Sequence, residues 1–312
     1  MFASREDIAS AIGFNRTENT SEFATLDEVE CDGFVRSRIS HSVPDGDRVE
    51  AFLLRPLGSV RGAVVALHQH NSQWSLGKSE VAGIEGDPHQ AFGPRLAAAG
   101  LSVLIPDILA FESRLAADAS GAALAPPSRR AGSTAEGWVQ HYNQMAYRII
   151  RGETLLAKVV RDTCSAVDVL QSVVPVGQPI GVVGHSYGGI VALFAAALDE
   201  RLGFCVSSGA VCSYEYKLAN AIALEMSLIV PGVVGRFDFD SVLAALAPRP
   251  ALIVSSNNDP FSADAEDVVA KAMPAYRSVD ASDRLSSLRS GDGHALDETR
   301  FNAIVEWIEK QA

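Results

Sequence analysis

The chain has few cysteines and fewer positive than negative charges. Four cysteines occur in 312 residues, and none forms a Cys-x-x-Cys pair, so the sequence indicates neither a zinc site nor a disulfide framework. Cys164 lies in a helical pattern and Cys205 in a strand pattern, and both are predicted to pack in the core. The 26 basic residues stand against 38 acidic ones, a net charge of −12. This balance argues against nucleic acid and anionic membranes as partners.

Long hydrophobic runs are also missing. No run approaches the ~18 apolar residues that span a bilayer, and residues 1–10 contain Arg5, Glu6 and Asp7 instead of the apolar core of a signal peptide. These features predict a cytoplasmic protein without a membrane partner. The hydrophobic content of 47% is sufficient for one large core.

What the sequence does contain is a succession of strand and helix patterns. Residues 34–43 and 48–55 read as an antiparallel hairpin. Residues 62–67 and 101–105 are continuous apolar runs, which are typical of parallel strands covered on both faces. A helical pattern over residues 91–99 lies between them. This order predicts an α/β fold with a mostly parallel central sheet flanked by helices.

The later patterns continue this alternation. They predict a long crossover helix over 146–173, strands over 180–183, 203–211 and 250–255, and a closing amphipathic helix over 297–310 with Asp297 as its N-cap. We expect a catalytic domain over residues 33–312, preceded by an N-terminal arm over residues 1–32. Residues 20–30 could form a short helix or a segment packed on the domain, and the sequence does not decide between them.

Two segments of the predicted domain are interpreted as insertions. Residues 107–144 show no periodicity over nearly forty positions, which favours a lid or a pocket wall, with an indifferent surface excursion as the alternative. A second insertion is expected at about 212–240, where 214–230 reads as a helical excursion. Because fold does not determine substrate, we expect these two segments to set it.

The most informative motif spans residues 179–189, Pro-Ile-Gly-Val-Val-Gly-His-Ser-Tyr-Gly-Gly. A short apolar run ends in Gly184-His185-Ser186-Tyr187-Gly188 and passes into an Ala-rich helical pattern. The glycines allow a strand to turn abruptly into a helix, which would expose the Ser186 hydroxyl at the carboxyl end of a sheet. This context makes Ser186 the candidate nucleophile.

A serine nucleophile needs a base and a group that orients the base. His294 lies in a glycine-bearing loop before the last helix, and Asp259 directly follows a predicted strand, so both belong to the sheet edge that carries Ser186. The alternative interpretations are that His294 is only an exposed loop residue and that Asp259 only forms a turn. Asp264 and Asp267 could replace Asp259, but they read better as first-turn residues of the next helix.

The chain order Ser186, Asp259, His294 resembles that of α/β hydrolases. Over residues 34–310 the sequence looks like the dienelactone hydrolase and acetyl esterase group, with similarity to the catalytic domain of prolyl oligopeptidases. The resemblance implies the α/β-hydrolase fold, with an antiparallel N-terminal hairpin and lid or cap insertions. Dienelactone hydrolases proper use a cysteine nucleophile, so their substrate is not carried over to Ser186.

Acyl transfer also requires N–H donors for the developing oxyanion. The elbow implies the backbone N–H of Tyr187 as one donor. The resemblance places His70 as the other, in a loop that reads Leu67-His68-Gln69-His70-Asn71. Gln69 stands where relatives commonly carry glycine, and its backbone N–H is the second candidate for this donor.

The pair His68-x-His70 could instead hold a metal, since alternate histidines on a strand can share one face. The pattern supplies no third ligand, so we expect no metal and no organic cofactor. His68 is interpreted as a structural hydrogen-bonding residue below the site, and His185 as a neighbour that shapes the elbow.

Together these residues predict a serine carboxylic-ester hydrolase that acts on a small or medium ester through an acyl-enzyme. A peptidase or amidase, and an acyltransferase or cyclase, would use the same three side chains. A binding module with a vestigial triad is the alternative without catalysis. The expected partner is a small-molecule ester, and a homo-oligomer is left open because no pattern indicates one.

Overall fold

The computed structural model describes residues 2–17, 22–115 and 134–312. Its nine strands join in one sheet of order β1-β2-β3-β5-β4-β6-β7-β8-β9. The strands are β1 (Phe23–Cys31), β2 (Phe34–Ser42), β3 (Arg48–Pro56), β4 (Gly62–Leu67), β5 (Leu101–Pro106), β6 (Ile180–His185), β7 (Leu202–Ser208), β8 (Ala251–Asn257) and β9 (Leu285–Asp292). Pairing is antiparallel from β1 to β5 and parallel from β5 to β9. The predicted fold class is confirmed.

Helices cover both faces of this sheet. The described α-helices are α1 (Arg5–Ile12), α2 (Lys78–Val81), α3 (Phe92–Ala98), α4 (Thr134–Ile150), α5 (Leu155–Val173), α6 (Tyr187–Leu198), α7 (Tyr214–Ala219), α8 (Phe239–Ala244), α9 (Ala265–Arg277) and α10 (Glu298–Glu309). Alternate side chains of β4 enter two hydrophobic clusters: Val65 packs with α5, α6 and α8, and Val64 packs with α3 and α10. Both faces of β4 are therefore buried, which explains its unbroken apolar run.

Several local predictions are confirmed. The hairpin of β2 and β3, the buried strands β4 and β5, and the elbow strand β6 lie where the patterns placed them. Asp297 caps α10, because its side chain accepts the N–H of Arg300 at 2.8 Å. Cys164 and Cys205 are buried, as expected of core residues.

The crossover helix predicted over 146–173 is wrong in its bounds. Gly152, at φ 80°, separates α4 from α5, and Thr154 caps α5 by accepting the N–H of Ala157. Helix α4 begins at Thr134, so residues 134–144 are helical, although the sequence showed no periodicity there. The reason is that the buried face of α4 carries polar side chains, namely Gln140, His141 and Asn143. Residues 116–133 of that predicted insertion lie outside the described residues.

Two further segments differ from expectation. A short helix and a packed segment were left open for residues 20–30. Residues 20 and 21 lie outside the described residues, and from Phe23 onward the segment forms β1, which pairs with β2. Nearly all the side chains of β1 are exposed, so no hydrophobic alternation marks it as a strand. The segment 214–230 is helical mainly over the six residues of α7. Strand β9 was not predicted, and it forms the far edge of the sheet.

Candidate active site

Ser186 stands at the turn between β6 and α6. Its φ is 55°, in the left-handed region, and its N–H donates to the Ser208 carbonyl at 2.7 Å. A Cβ on Gly184 would lie 2.2 Å from the carbonyl carbon of Gly188, and a Cβ on Gly188 would lie 2.3 Å from the Leu67 oxygen. Only glycine fits at these two positions, so the sharp turn depends on both of them.

The structure brings the three predicted side chains into one hydrogen-bonded chain. His294 Nε2 lies 2.8 Å from Ser186 Oγ, and His294 Nδ1 lies 3.0 Å from Asp259 Oδ1. The loop after β8 carries Asp259, and the loop before α10 carries His294. Because a carboxylate only accepts, Nδ1 holds the proton and Nε2 presents its lone pair to the serine hydroxyl.

The carboxylate of Asp259 is fully buried, whereas His294 keeps 30% of its side-chain surface. Burial alone would raise the pKa of Asp259, but hydrogen bonds from His294 and Ser262 hold that pKa below its usual value. Its Oδ2 accepts the Ser262 hydroxyl at 2.6 Å, and its Oδ1 also accepts the Phe261 N–H at 3.0 Å. The carboxylate therefore stays ionised and fixed beside the imidazole.

The alternative acids are engaged elsewhere. Asp264 accepts the N–H of Ser213 at 3.0 Å, and Asp267 is exposed in the first turn of α9. Neither is hydrogen-bonded to His294.

His68 and His185 are both buried and hydrogen-bonded. His68 Nε2 accepts the Ile108 N–H at 2.9 Å, so its Nδ1 carries the proton that is donated to the Gln69 carbonyl at 2.9 Å. Since both ring nitrogens are occupied, His68 does not form a metal site with His70. His185 Nδ1 lies 3.0 Å from Ser208 Oγ, and its ring centroid lies 5.0 Å from that of His294.

The oxyanion donors stay predictions. Tyr187 is the first residue of α6, and His70 follows β4. The side chain of Gln69 donates to the Glu80 carboxylate at 3.1 and 3.2 Å. This contact ties Gln69, which stands where relatives commonly carry glycine, to helix α2.

A cavity of about 410 Å³ opens beside the serine. It combines residues of the triad and oxyanion loop with side chains from both predicted insertions. Its lining comprises His70, Asn71, Ser72, Trp74, Trp138, Ser186, Tyr187, Ile190, Gly209, Ala210, Lys217, Ala223, Leu224, Glu225, Met226, Leu228, Phe261 and His294. Trp74 and Trp138 are its tryptophans, and Tyr142 stacks on Trp138 with ring centroids 5.3 Å apart.

Four residues of this region had no sequence signal: His141, Lys217, Glu225 and Phe261. Lys217 is buried, and its Nζ lies 5.6 Å from the centroid of Phe261. Burial lowers the pKa of Lys217. Phe261 also packs against His294, with ring centroids 4.9 Å apart. His141 had no signal because the buried face of α4 is polar, so the sequence did not predict the part of the helix that carries this residue.

No protein-family model matches the chain. A candidate hydrolase of Bacillus subtilis, YtaP, is 28% identical over 257 residues, which are 80% of this chain and 78% of that protein. A candidate acetyl xylan esterase from Bacteroides fragilis superposes with a TM-score of 0.76 at 13% identity. The superposition covers 99% of this chain and 86% of the esterase chain. A glucuronoyl esterase from Solibacter usitatus gives a TM-score of 0.62 at 14% identity, with coverages of 98% and 91%. The chain therefore has the α/β-hydrolase fold.

Proposed function

We propose that this protein is a serine hydrolase of carboxylic esters, with Ser186 as nucleophile, His294 as base and Asp259 as the acid that orients the base. The observation that carries the proposal is the hydrogen-bonded chain from Ser186 Oγ through His294 to Asp259, beside a cavity of about 410 Å³. The esterase names of two structural neighbours agree with it.

Acylation begins when His294 Nε2 takes the proton of Ser186 and the serine oxygen attacks the ester carbonyl carbon. The carbonyl oxygen becomes an oxyanion, which the N–H groups of Tyr187 and His70 stabilise by about 3 kcal/mol per donor. His294 then returns its proton to the leaving alcohol. The ionised Asp259 stabilises the imidazolium between these two transfers.

Deacylation repeats the sequence with water. His294 takes a proton from a water molecule, the resulting hydroxide attacks the acyl-enzyme, and the second oxyanion occupies the same donors. The proton then passes to Ser186 Oγ as the acid leaves. Every proton that His294 takes up is released within the same half-reaction, so the residues return to their starting state.

The test is Ser186→Ala, assayed with nitrophenyl esters of increasing acyl length. We expect kcat/KM to fall by about 10⁵-fold for every ester, with an unchanged circular-dichroism spectrum. Ser278→Ala, at an exposed serine after α9, is the matched control and should retain activity. Retained hydrolysis in Ser186→Ala would refute the assignment.

The rival reactions differ in what they release. Paired ester and amide substrates separate an esterase from a peptidase or amidase, since the esterase leaves the amide intact. Product analysis with added alcohols separates hydrolysis from acyl transfer. Ligand binding that is unaffected by Ser186→Ala, together with negligible wild-type turnover, would identify a binding module.

Within this proposal the partner is a small-molecule ester, and we propose the cytoplasm as the location of the protein. Among the helices that the structure describes, none is long and apolar enough to cross a membrane.

A further inference from the structure

Three polar side chains that the proposed mechanism leaves unused converge beside the cavity. These are His70 from the loop after β4, His141 from α4, and Glu225 from the second insertion. A ring nitrogen of each histidine and a carboxylate oxygen of Glu225 all lie within 4.8 Å of one another. His70 and Glu225 also line the cavity that contains Ser186.

The proton of His70 is located by its surroundings. The backbone N–H of Ser72 points at His70 Nδ1 over 3.0 Å. A backbone N–H can only donate, so Nδ1 is an acceptor and the ring proton sits on Nε2. His70 therefore offers an N–H donor at Nε2.

His141 has the same arrangement. The indole N–H of Trp74, which can only donate, lies 3.4 Å from His141 Nδ1. The ring proton of His141 is thus also on Nε2. Burial, followed by the neighbouring His70 and His68 rings, lowers the pKa of His141 to about 3, so the ring is neutral at physiological pH.

The Nε2–H of His141 lacks a hydrogen-bond partner within the described part of the chain, and the residue has no exposed surface. Leaving a buried donor unsatisfied is unfavourable, and native proteins rarely do so. A ring nitrogen of His141 lies within 4.8 Å of polar atoms of His70 and Glu225, and these two residues line the cavity. This placement indicates that a bound molecule supplies the missing acceptor.

Two histidines and a glutamate are also a familiar set of metal ligands, but the protons are on the wrong nitrogens. A metal-bound imidazole coordinates through a lone pair and donates its other N–H to an acceptor. Here both Nδ1 atoms face donors, so both Nε2 atoms carry hydrogen. Metal binding through Nε2 would move each ring proton to Nδ1. There it would face another N–H, that of Ser72 for His70 and that of Trp74 for His141.

Two N–H donors and one carboxylate acceptor match a hydroxyl group, which accepts from N–H groups and donates to a carboxylate. Glu225 would repel a substrate carboxylate, and a carbonyl oxygen has no proton to give it. We propose that His70, His141 and Glu225 bind a hydroxyl group of the substrate, so that the preferred ester carries a hydroxyl on its acyl or its alcohol part. This inference rests on the proposed ester hydrolysis and names its substrate class.

The test uses matched esters that differ by one hydroxyl. On the acyl side the pair is nitrophenyl 3-hydroxybutyrate and nitrophenyl butyrate. On the alcohol side it is 2-hydroxycyclohexyl acetate and cyclohexyl acetate. Because burial raises the pKa of Glu225, the assays are run near pH 8, well above the usual pKa of a glutamate, which favours the ionised carboxylate.

We expect the wild type to favour the hydroxylated member of at least one pair by about 10- to 100-fold in kcat/KM, since a site built around a hydroxyl leaves its own polar groups unpaired without it. Equal kcat/KM values in both pairs would overturn the proposal.

Two variants locate the preference. His141→Phe keeps an aromatic ring but removes the donor, and Glu225→Gln removes the charge. Each should bring the ratio of kcat/KM values close to one. His141→Gln, which restores an N–H, should recover part of the preference for the hydroxylated ester.

The matched controls are His89→Phe and Glu215→Gln, at partly exposed and exposed positions outside the cavity lining. Because the readout is a ratio within one variant, partial loss of folded protein does not alter it.

Calorimetric titration with zinc tests the metal directly. Stoichiometric zinc binding that His141→Phe abolishes would overturn the hydroxyl assignment in favour of a metal site. Failure of the underlying esterase proposal has a different signature, namely hydrolysis of both members of a pair by Ser186→Ala, and it leaves the ratio measurements interpretable.

Discussion

Two groups of polar residues face the same cavity, and they are completed in different ways. In the group of Ser186, His294 and Asp259, both imidazole nitrogens and both carboxylate oxygens have protein partners. In the group of His70, His141 and Glu225, which we call the histidine–glutamate cluster, the buried Nε2 of His141 has none among the described residues. The first group is complete within the protein, whereas in our proposal a substrate hydroxyl completes the second.

The two groups also differ in their structural support. Ser186 and Asp259 follow the strands β6 and β8, and His294 lies in the loop between β9 and α10. The histidine–glutamate cluster is held by a loop, by the polar buried face of α4 and by the second insertion. In our proposal the residues at the sheet edge carry out the chemistry, and His141 and Glu225, which come from the two insertions, add recognition of the substrate.

The sharpest contrast between the groups comes from histidine substitutions. His294→Gln should lower kcat/KM by about 10⁵-fold for hydroxylated and unhydroxylated esters alike, because no base remains to take the serine proton. His89→Gln, outside the cavity lining, is the control for losing an imidazole. Steady-state assays on both members of an ester pair are the measurement. A loss confined to hydroxylated esters would place His294 in recognition instead of catalysis.

The next largest effect is expected for Asp259→Asn. An amide can present a donor to His294 Nδ1, which favours the tautomer with its proton facing Ser186, so kcat should fall by about 10³- to 10⁴-fold. The exposed Asp283→Asn should behave as wild type. Activity within tenfold of wild type in Asp259→Asn would show that the carboxylate is not the group that orients the base.

A third comparison concerns stability, with His68 as a structural counterpart to His294. Burial lowers the pKa of His68 from 6.5 to about 4, so the unfolded chain binds a proton there at a higher pH than the folded protein. Its contribution to the free energy of unfolding is therefore complete above pH 6.5 and declines as the pH falls toward 4, by about 1.4 kcal/mol per unit or about 3 kcal/mol in all.

Urea denaturation across this range checks the sign and size of that contribution. The cost of His68→Gln should be greater at pH 7 than near pH 4.5. A cost that is independent of pH would show that His68 is not held neutral by its burial.

The smallest effect is predicted for Trp74→Phe. Removing the indole N–H frees His141 to move its proton to Nδ1, so the preference for hydroxylated esters should weaken by about two- to fivefold, an effect of less than 1 kcal/mol. The ratio of kcat/KM values within an ester pair is again the readout. An unchanged ratio would mean that Trp74 does not fix the tautomer.

The triad could be predicted because its signals are local. Gly184 and Gly188 mark a turn that sterics impose, and Asp259 and His294 each adjoin an element with a clear period. Parallel strands then bring distant loops to one edge of the sheet. Even the N-cap of α10 was readable from Asp297.

The histidine–glutamate cluster could not be predicted in this way. His141 lies on a helix whose buried face is polar, so α4 lacks the apolar stripe on which helix prediction depends. Glu225 follows α7 in a segment with little regular structure, and no motif fixes its distance from His70. Strand β1 was missed for the related reason that its side chains are mostly exposed.

The central claim is that Ser186 forms a covalent acyl-enzyme. Brief reaction with a fluorophosphonate probe, followed by peptide mass spectrometry, tests it most directly. We predict one adduct, on Ser186, in the wild type and in His141→Phe, and none in Ser186→Ala. An adduct on another residue, or continued ester hydrolysis after Ser186 has been fully modified, would contradict the account.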